Sequence, residues 1–211
     1  MADRSREAVL AAYDVSRETT RALDLYVEQL ARWQTVKNLV GPSTLSEVWS
    51  RHVADALQLL SLAPDAKTWL DLGSGAGIPG LILAIAGKER GIGVTLVESN
   101  ARKCAFLTEA ARLTGAPAQV RNARIETVIG GYTDTDVVCA RALAALDQLL
   151  DWTAPVLKTG TTGLFPKGRD VQSELTRAAE RWTFHHDLVP SRTDPDARIV
   201  RVTALTESSP R

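Results

Sequence analysis

Hydrophobic positions keep one period in the first third of the chain and another after it. From Thr20 to Gln34, Leu23, Tyr26, Val27, Leu30 and Trp33 recur every three or four residues, which places them on one face of an amphipathic helix. Residues 1–18 carry a weaker form of the same pattern. Gly41-Pro42 interrupts it. Thr44 and Glu47, at capping-box spacing, then open a further helix that turns Val48, Val53, Leu57 and Leu60 inward and closes at Pro64. Residues 1–65 are therefore expected to be helical, and 66–211 to form the main domain, the two making one compact unit.

From residue 68, short apolar runs alternate with helical segments, the pattern of a parallel sheet wrapped by helices. Strands are expected at 68–72, 93–98, 118–121, 136–140 and 161–165, and helices at 78–86, 101–113, 146–158 and 171–181. Two β-prone segments, 183–189 and 198–205, flank Pro190-Ser-Arg-Thr-Asp-Pro195 with no helix between them, and predict an antiparallel pair at the end of the sheet.

Composition adds limits rather than a function. With 211 residues, 45% hydrophobic and 24% charged, the chain suits one soluble α/β domain. No apolar run approaches the roughly 18 residues of a membrane span, so a cytoplasmic protein is expected. Cys104 and Cys139 are too few for a disulfide framework or a zinc site and read as small buried hydrophobes. His185 and His186 are adjacent on an expected strand and point to opposite faces, so no shared metal is expected. The five tryptophans, Trp33, Trp49, Trp69, Trp152 and Trp182, read as packing residues. Formal charge is zero. Any basic face must therefore be local, and Arg102, Lys103, Arg112, Arg121, Arg124, Arg141, Lys167 and Arg169 are its candidates.

Candidate chemistry concentrates in Leu70-Asp-Leu-Gly-Ser-Gly-Ala-Gly-Ile-Pro-Gly80. The glycines at 75, 77 and 80 fit G-x-G-x-x-G, and Glu98 stands about twenty residues on, so a nicotinamide-dependent oxidoreductase is one reading. Asp71 fits it badly, because a carboxylate at the strand end repels pyrophosphate. The same carboxylate could accept hydrogen bonds from the ammonium of S-adenosyl-L-methionine. Glu98 could accept from both ribose hydroxyls, and the Arg124-Ile125-Glu126 backbone could read an adenine edge. Gly73, Gly75 and Gly77 supply the bend, with Pro79 in the first turn of the next helix. Arg141 and Lys167, after the fourth and fifth strands, face the same crevice as candidates for holding the cofactor carboxylate or a phosphate. His52 reads as an interface hydrogen-bonder, and Asn38 as a helix cap or a ligand contact.

Several segments together resemble the bacterial small-subunit ribosomal RNA guanine-N7 methyltransferases, also called the glucose-inhibited division protein B family. They are Trp33 to Leu39, Arg51-His52-x-x-Asp55, Leu70 to Gly80, Arg102-Lys103-x-x-Phe106-Leu107, Ala123 to Glu126, Ala140-Arg141-Ala142 and Phe165 to Gly168. The resemblance implies a Rossmann-like class I methyltransferase fold, with a mostly parallel seven-stranded sheet, an antiparallel C-terminal strand and an N-terminal helical cap. It implies S-adenosyl-L-methionine bound by Gly73, Ile78, Ile125, Glu126 and Arg141, alongside Asp71, Gly75 and Glu98. The expected partner is small-subunit ribosomal RNA or the 30S particle, met by Arg102, Lys103, Arg141 and Lys167, with the enzyme working as a monomer. Val40-Gly-Pro42 departs from the family's usual continuation. A non-catalytic RNA-binding protein on the same fold is the third reading. Guanine N7 carries a lone pair and no proton, so no catalytic base is expected.

Overall fold

The computed structural model describes residues 5–34 and 47–208. Its strands are β1 (Thr68–Leu72), β2 (Gly93–Glu98), β3 (Ala118–Asn122), β4 (Val137–Cys139), β5 (Thr162–Lys167), β6 (Trp182–Pro190) and β7 (Arg198–Glu207). They form one sheet in the order β3-β2-β1-β4-β5-β7-β6. β1 to β5 are parallel, with Asp71 beside Leu96 on one side and Cys139 on the other. β7 runs antiparallel between β5 and β6. Strand order reverses between β1 and β4, and a doubly wound sheet leaves its ligand crevice beyond the carboxyl ends at that reversal.

The helices are α1 (Arg6–Ala12), α2 (Arg17–Gln34), α3 (Ala54–Leu62), α4 (Gly80–Gly87), α5 (Ala101–Thr114), α6 (Ile125–Val128), α7 (Leu146–Leu157) and α8 (Val171–Ala179). Because strand side chains alternate, the sheet feeds two cores. Trp69, Val94, Leu96 and Val137 pack with α2, α3, α4 and α5. Leu70, Leu72, Val97, Val138 and Phe165 pack with α6, α7 and α8. Burial on both faces explains why the central strands read as continuous apolar runs.

Several boundaries differ from expectation for local reasons. The weak pattern over 1–18 resolves into α1, capped by the Ser5 hydroxyl, and a turn before α2. That helix begins at Arg17 because Ser16 accepts the Thr19 N–H at 3.2 Å and sets the first turn. A π-helical turn over Val48–Val53 leads into α3. α4 begins at Gly80, with Pro79 just outside it rather than in its first turn. Thr44, which the expected capping pair with Glu47 requires, and Asn38 lie outside the described residues. The tryptophans pack: Trp33 meets Phe106 edge-on at 5.6 Å, Trp49 lies under Arg6, and Trp182 donates to Asp151 at 2.8 Å. Trp69 is buried, and Trp152 packs on the α7 side of the sheet. Both cysteines are buried and free. No helix among the described residues is long and apolar enough to cross a membrane.

Candidate active site

Past Leu72 the chain turns through three left-handed glycines, Gly73, Gly75 and Gly77, at φ of 64°, 56° and 84°. Side chains other than glycine's rarely tolerate that region, so the bend exists because these positions lack a Cβ. Its own backbone closes it: Ser74 N–H donates to Val97 O at 3.1 Å, and Gly77 N–H donates to Ser74 O at 2.7 Å. Glu98, at the end of β2, fastens it from the side. One carboxylate oxygen accepts the Gly75 N–H at 2.9 Å and the other accepts the Asn100 N–H at 2.8 Å, just before α5. A carboxylate oxygen can accept about two hydrogen bonds, so each retains capacity for a ligand hydroxyl.

The structure corrects the expectation for Asp71. Its side chain is 0% exposed and points with Trp69 toward the α4 face, away from the crevice. There it accepts the Gly80 N–H at 3.2 Å and the Cys139 thiol at 3.7 Å. A carboxylate beneath the start of α4 complements the positive end of that helix. Burial pushes its pKa up from 3.8 to about 7, partly offset by hydrogen bonds from Ser74, Gly80 and Cys139. A Cβ on Gly80 would overlap the Asp71 carboxylate and Leu96. The third glycine of the G-x-G-x-x-G match therefore seats an acid, and pyrophosphate is not needed to explain it.

Arg141 follows β4 as expected, but it crosses to α3 and the π-helical turn before it. Its guanidinium lies 3.2 Å from Asp55 and donates to His52 Nδ1 at 2.8 Å. Arginine has no acceptor, so Nδ1 must be the unprotonated nitrogen and the other ring nitrogen carries the proton. Burial, then the nearby Arg141 and Arg51 charges, lower the His52 pKa from 6.5 to about 4. His52 is thus the interface hydrogen-bonder expected of it, in its neutral form. Asp55 also accepts from the Thr193 hydroxyl, and Gln58 bonds Pro190 O and Arg192 N–H at 2.8 and 3.0 Å. α3 is thereby clasped to the β6–β7 loop. Beside Arg141, Ala142 holds a left-handed φ of 51°, an unusual conformation for a residue with a Cβ.

Lys167 is the second correction. Its side chain is 7% exposed, pairs with Glu174 at 2.8 Å and donates to Ala144 O at 2.6 Å. It braces the β5 end against α8, with two of its three ammonium donors engaged within the protein. Of the remaining basic candidates, Arg112 pairs with Glu109 and Arg169 with Asp196. Arg102, Lys103, Arg121 and Arg124 have no carboxylate partner among the described residues; the first two open α5 after β2, Arg121 lies on β3 and Arg124 follows it. Ile125, buried, and Glu126, exposed, open α6, where Arg124 supplies no side-chain cap.

Two contributors were missed. Tyr26, one member of the α2 stripe, is buried and donates its hydroxyl to Ala76 O at 2.8 Å, tying the cap to the glycine loop. Leu143 lies where a Cβ on Gly73 would be. The aromatic hydroxyl within an apolar stripe was the available signal for the first; nothing local marked the second.

Comparison with known proteins agrees with this geometry. The family model for rRNA small subunit methyltransferase G matches residues 19–199. The ribosomal RNA small subunit methyltransferase G of Methylobacterium radiotolerans is 75% identical over 211 residues, the whole of both chains. That of Methylorubrum extorquens is 72% identical over 206 residues, 97% of this chain and 98% of its own. Among solved structures, M. jannaschii TYW2 in complex with AdoMet shares the fold with a TM-score of 0.55 at 17% identity, over 74% of this chain and 75% of that one. From the sheet order, the glycine loop and these matches, the chain belongs to the rRNA small subunit methyltransferase G family.

Proposed function

We propose that the protein transfers a methyl group from S-adenosyl-L-methionine to N7 of a guanine in small-subunit ribosomal RNA. The observation that carries this reading is Glu98, which braces the glycine loop while keeping acceptor capacity on both carboxylate oxygens. That is the chemistry a ribose diol needs. Gly73 and Gly75 would approach the cofactor with their backbone, Ile78 and Ile125 would flank its adenosine, and the start of α6 at Glu126 would meet the adenine edge. Arg141 would hold the carboxylate. Asp71 would act from below by fixing the loop.

When bound, the cofactor supplies an electrophilic methyl on a sulfonium. The protein's own task is alignment and exclusion of water, because N7 has no proton to remove; such positioning is worth roughly 7 to 11 kcal/mol in favourable cases. Arg102, Lys103, Arg121 and Arg124 would meet RNA phosphates, a local basic edge on a chain of zero formal charge. Residues 1–65 act as the cap, and the enzyme works in the cytoplasm as a monomer, on ribosomal RNA or on the small-subunit particle.

The test is labelled methyl transfer from S-adenosyl-L-methionine to small subunits, with the RNA digested and the modified nucleoside identified. Label in 7-methylguanosine is the expected result; label elsewhere, or only in protein, overturns the proposal. S-adenosylhomocysteine should raise the melting temperature while NAD does not. A response to NAD alone would restore the oxidoreductase reading.

A further inference from the structure

On the far side of the crevice from the glycine loop, over the ends of β4 and β5, lies a cavity of about 300 Å³. Small-ligand sites run from roughly 300 to 1,000 Å³, so one planar base fits. Pro166, Ile199 and Ala142 give it apolar surface, and Arg51, Asp55, Arg141, Lys167, Glu174, Asp194 and Arg198 its charges. Lys167 is paired with Glu174 in the cavity wall, Arg141 with Asp55, and Asp194 accepts the Asp196 N–H within its own loop.

Asp55 differs. A carboxylate offers about four acceptor positions. Thr193 and Arg141 each occupy one, which leaves two on a group that lines the cavity. Its side chain is 19% exposed, accessible yet largely removed from bulk water. Guanine presents two adjacent donors, N1–H and the exocyclic N2–H, on the edge across the purine from N7. Adenine presents an acceptor at N1, which a carboxylate repels.

Resting on the N7 reading above, we propose that this cavity receives the target guanine, turned out of its stack, and that Asp55 is the specificity-determining residue, accepting N1–H and N2–H. Gripping that edge leaves N7 directed back toward the methyl donor's half of the crevice. His52 and Thr193 act as positioning residues, holding Arg141 and Asp55 to one geometry. The Arg51-His52-x-x-Asp55 segment thereby gains a chemical role beyond packing.

The experiment maps the guanine that the wild-type enzyme methylates, then replaces it alone with inosine in ligated ribosomal RNA assembled into small subunits. Inosine keeps N7, O6 and N1–H and lacks the N2 amine. Wild type should favour guanine by about tenfold or more in kcat/KM, the discrimination of one good base contact. Asp55→Asn, with cofactor affinity measured by calorimetry as its folding control, should methylate guanine more slowly and narrow the preference to about threefold or less. Equal wild-type rates on both bases, or an unchanged preference in Asp55→Asn, would overturn the assignment. The inosine comparison needs no variant, so it decides even if Asp55→Asn fails to fold. A wild-type enzyme that forms no 7-methylguanosine would instead overturn the activity, and the cavity's assignment with it.

Discussion

Over β1 and β2 the crevice is walled by backbone, three left-handed glycines laced to Val97, Glu98 and Ala76's anchor, Tyr26. Over β4 and β5 it is walled by side chains, where Arg141 pairs with Asp55 and His52, and Lys167 with Glu174. The first wall is shaped by backbone and fastened by two carboxylates, Glu98 at its side and Asp71 beneath it. The second is held by charge and spans elements far apart in sequence. A backbone wall suits a ligand that is always the same, and a side-chain wall suits choosing among similar bases.

The largest expected effect strikes the backbone wall. Gly80→Ala should destabilise the protein by about 3 kcal/mol, because a methyl there meets a buried carboxylate and Leu96 at once. Urea denaturation would check it, and a near-neutral result would mean that Asp71 is not fixed under α4.

Next comes the opposite response of the two walls to pH. His52 titrates near 4 in the fold against an ordinary 6.5, so the unfolded chain takes up its proton first and stability is lost as pH falls from about 6.5 toward 4. Asp71 titrates near 7 against 3.8, so the fold holds its proton longer and stability is lost as pH rises from about 4 toward 7. Asp71→Asn should therefore steepen the rise of stability with pH across that window, and His52→Asn should reverse it. Melting temperatures from pH 4 to 7 would separate the two; parallel curves for wild type and both variants would refute the contrast.

Arg141→Ala should cost about 2 kcal/mol, since it strips a charged donor from Asp55 and His52 together. It should also weaken cofactor binding, as expected of the group proposed to hold the cofactor carboxylate. The smallest effect belongs to Tyr26→Phe, about 1 kcal/mol for one buried hydroxyl bond, accompanied by weaker cofactor binding. An unchanged cofactor affinity would show that the loop holds its shape without the cap.

The sequence made the sheet legible because its parallel strands are buried on both faces and separated by helical periods. The glycine bend was legible as well, since only glycine serves at Gly73, Gly75 and Gly77. The role of Asp71 was misjudged although a signal existed: in a strand covered on both sides, alternation places residue 71 with Trp69 inside, whatever its charge. Lys167 follows the same logic at the end of β5. The Asp55 cavity left no such trace. Its lining comes from four separated segments, and only the folded arrangement brings Thr193 to Asp55 across 138 positions.

Tyr26 precedes its partner Ala76 by 50 residues. Synthesis proceeds from the amino end, so the anchoring phenol leaves the ribosome before the segment it will secure. For a chain whose relatives are named for work on ribosomal RNA, the nascent glycine bend emerges into the company of a tether already made.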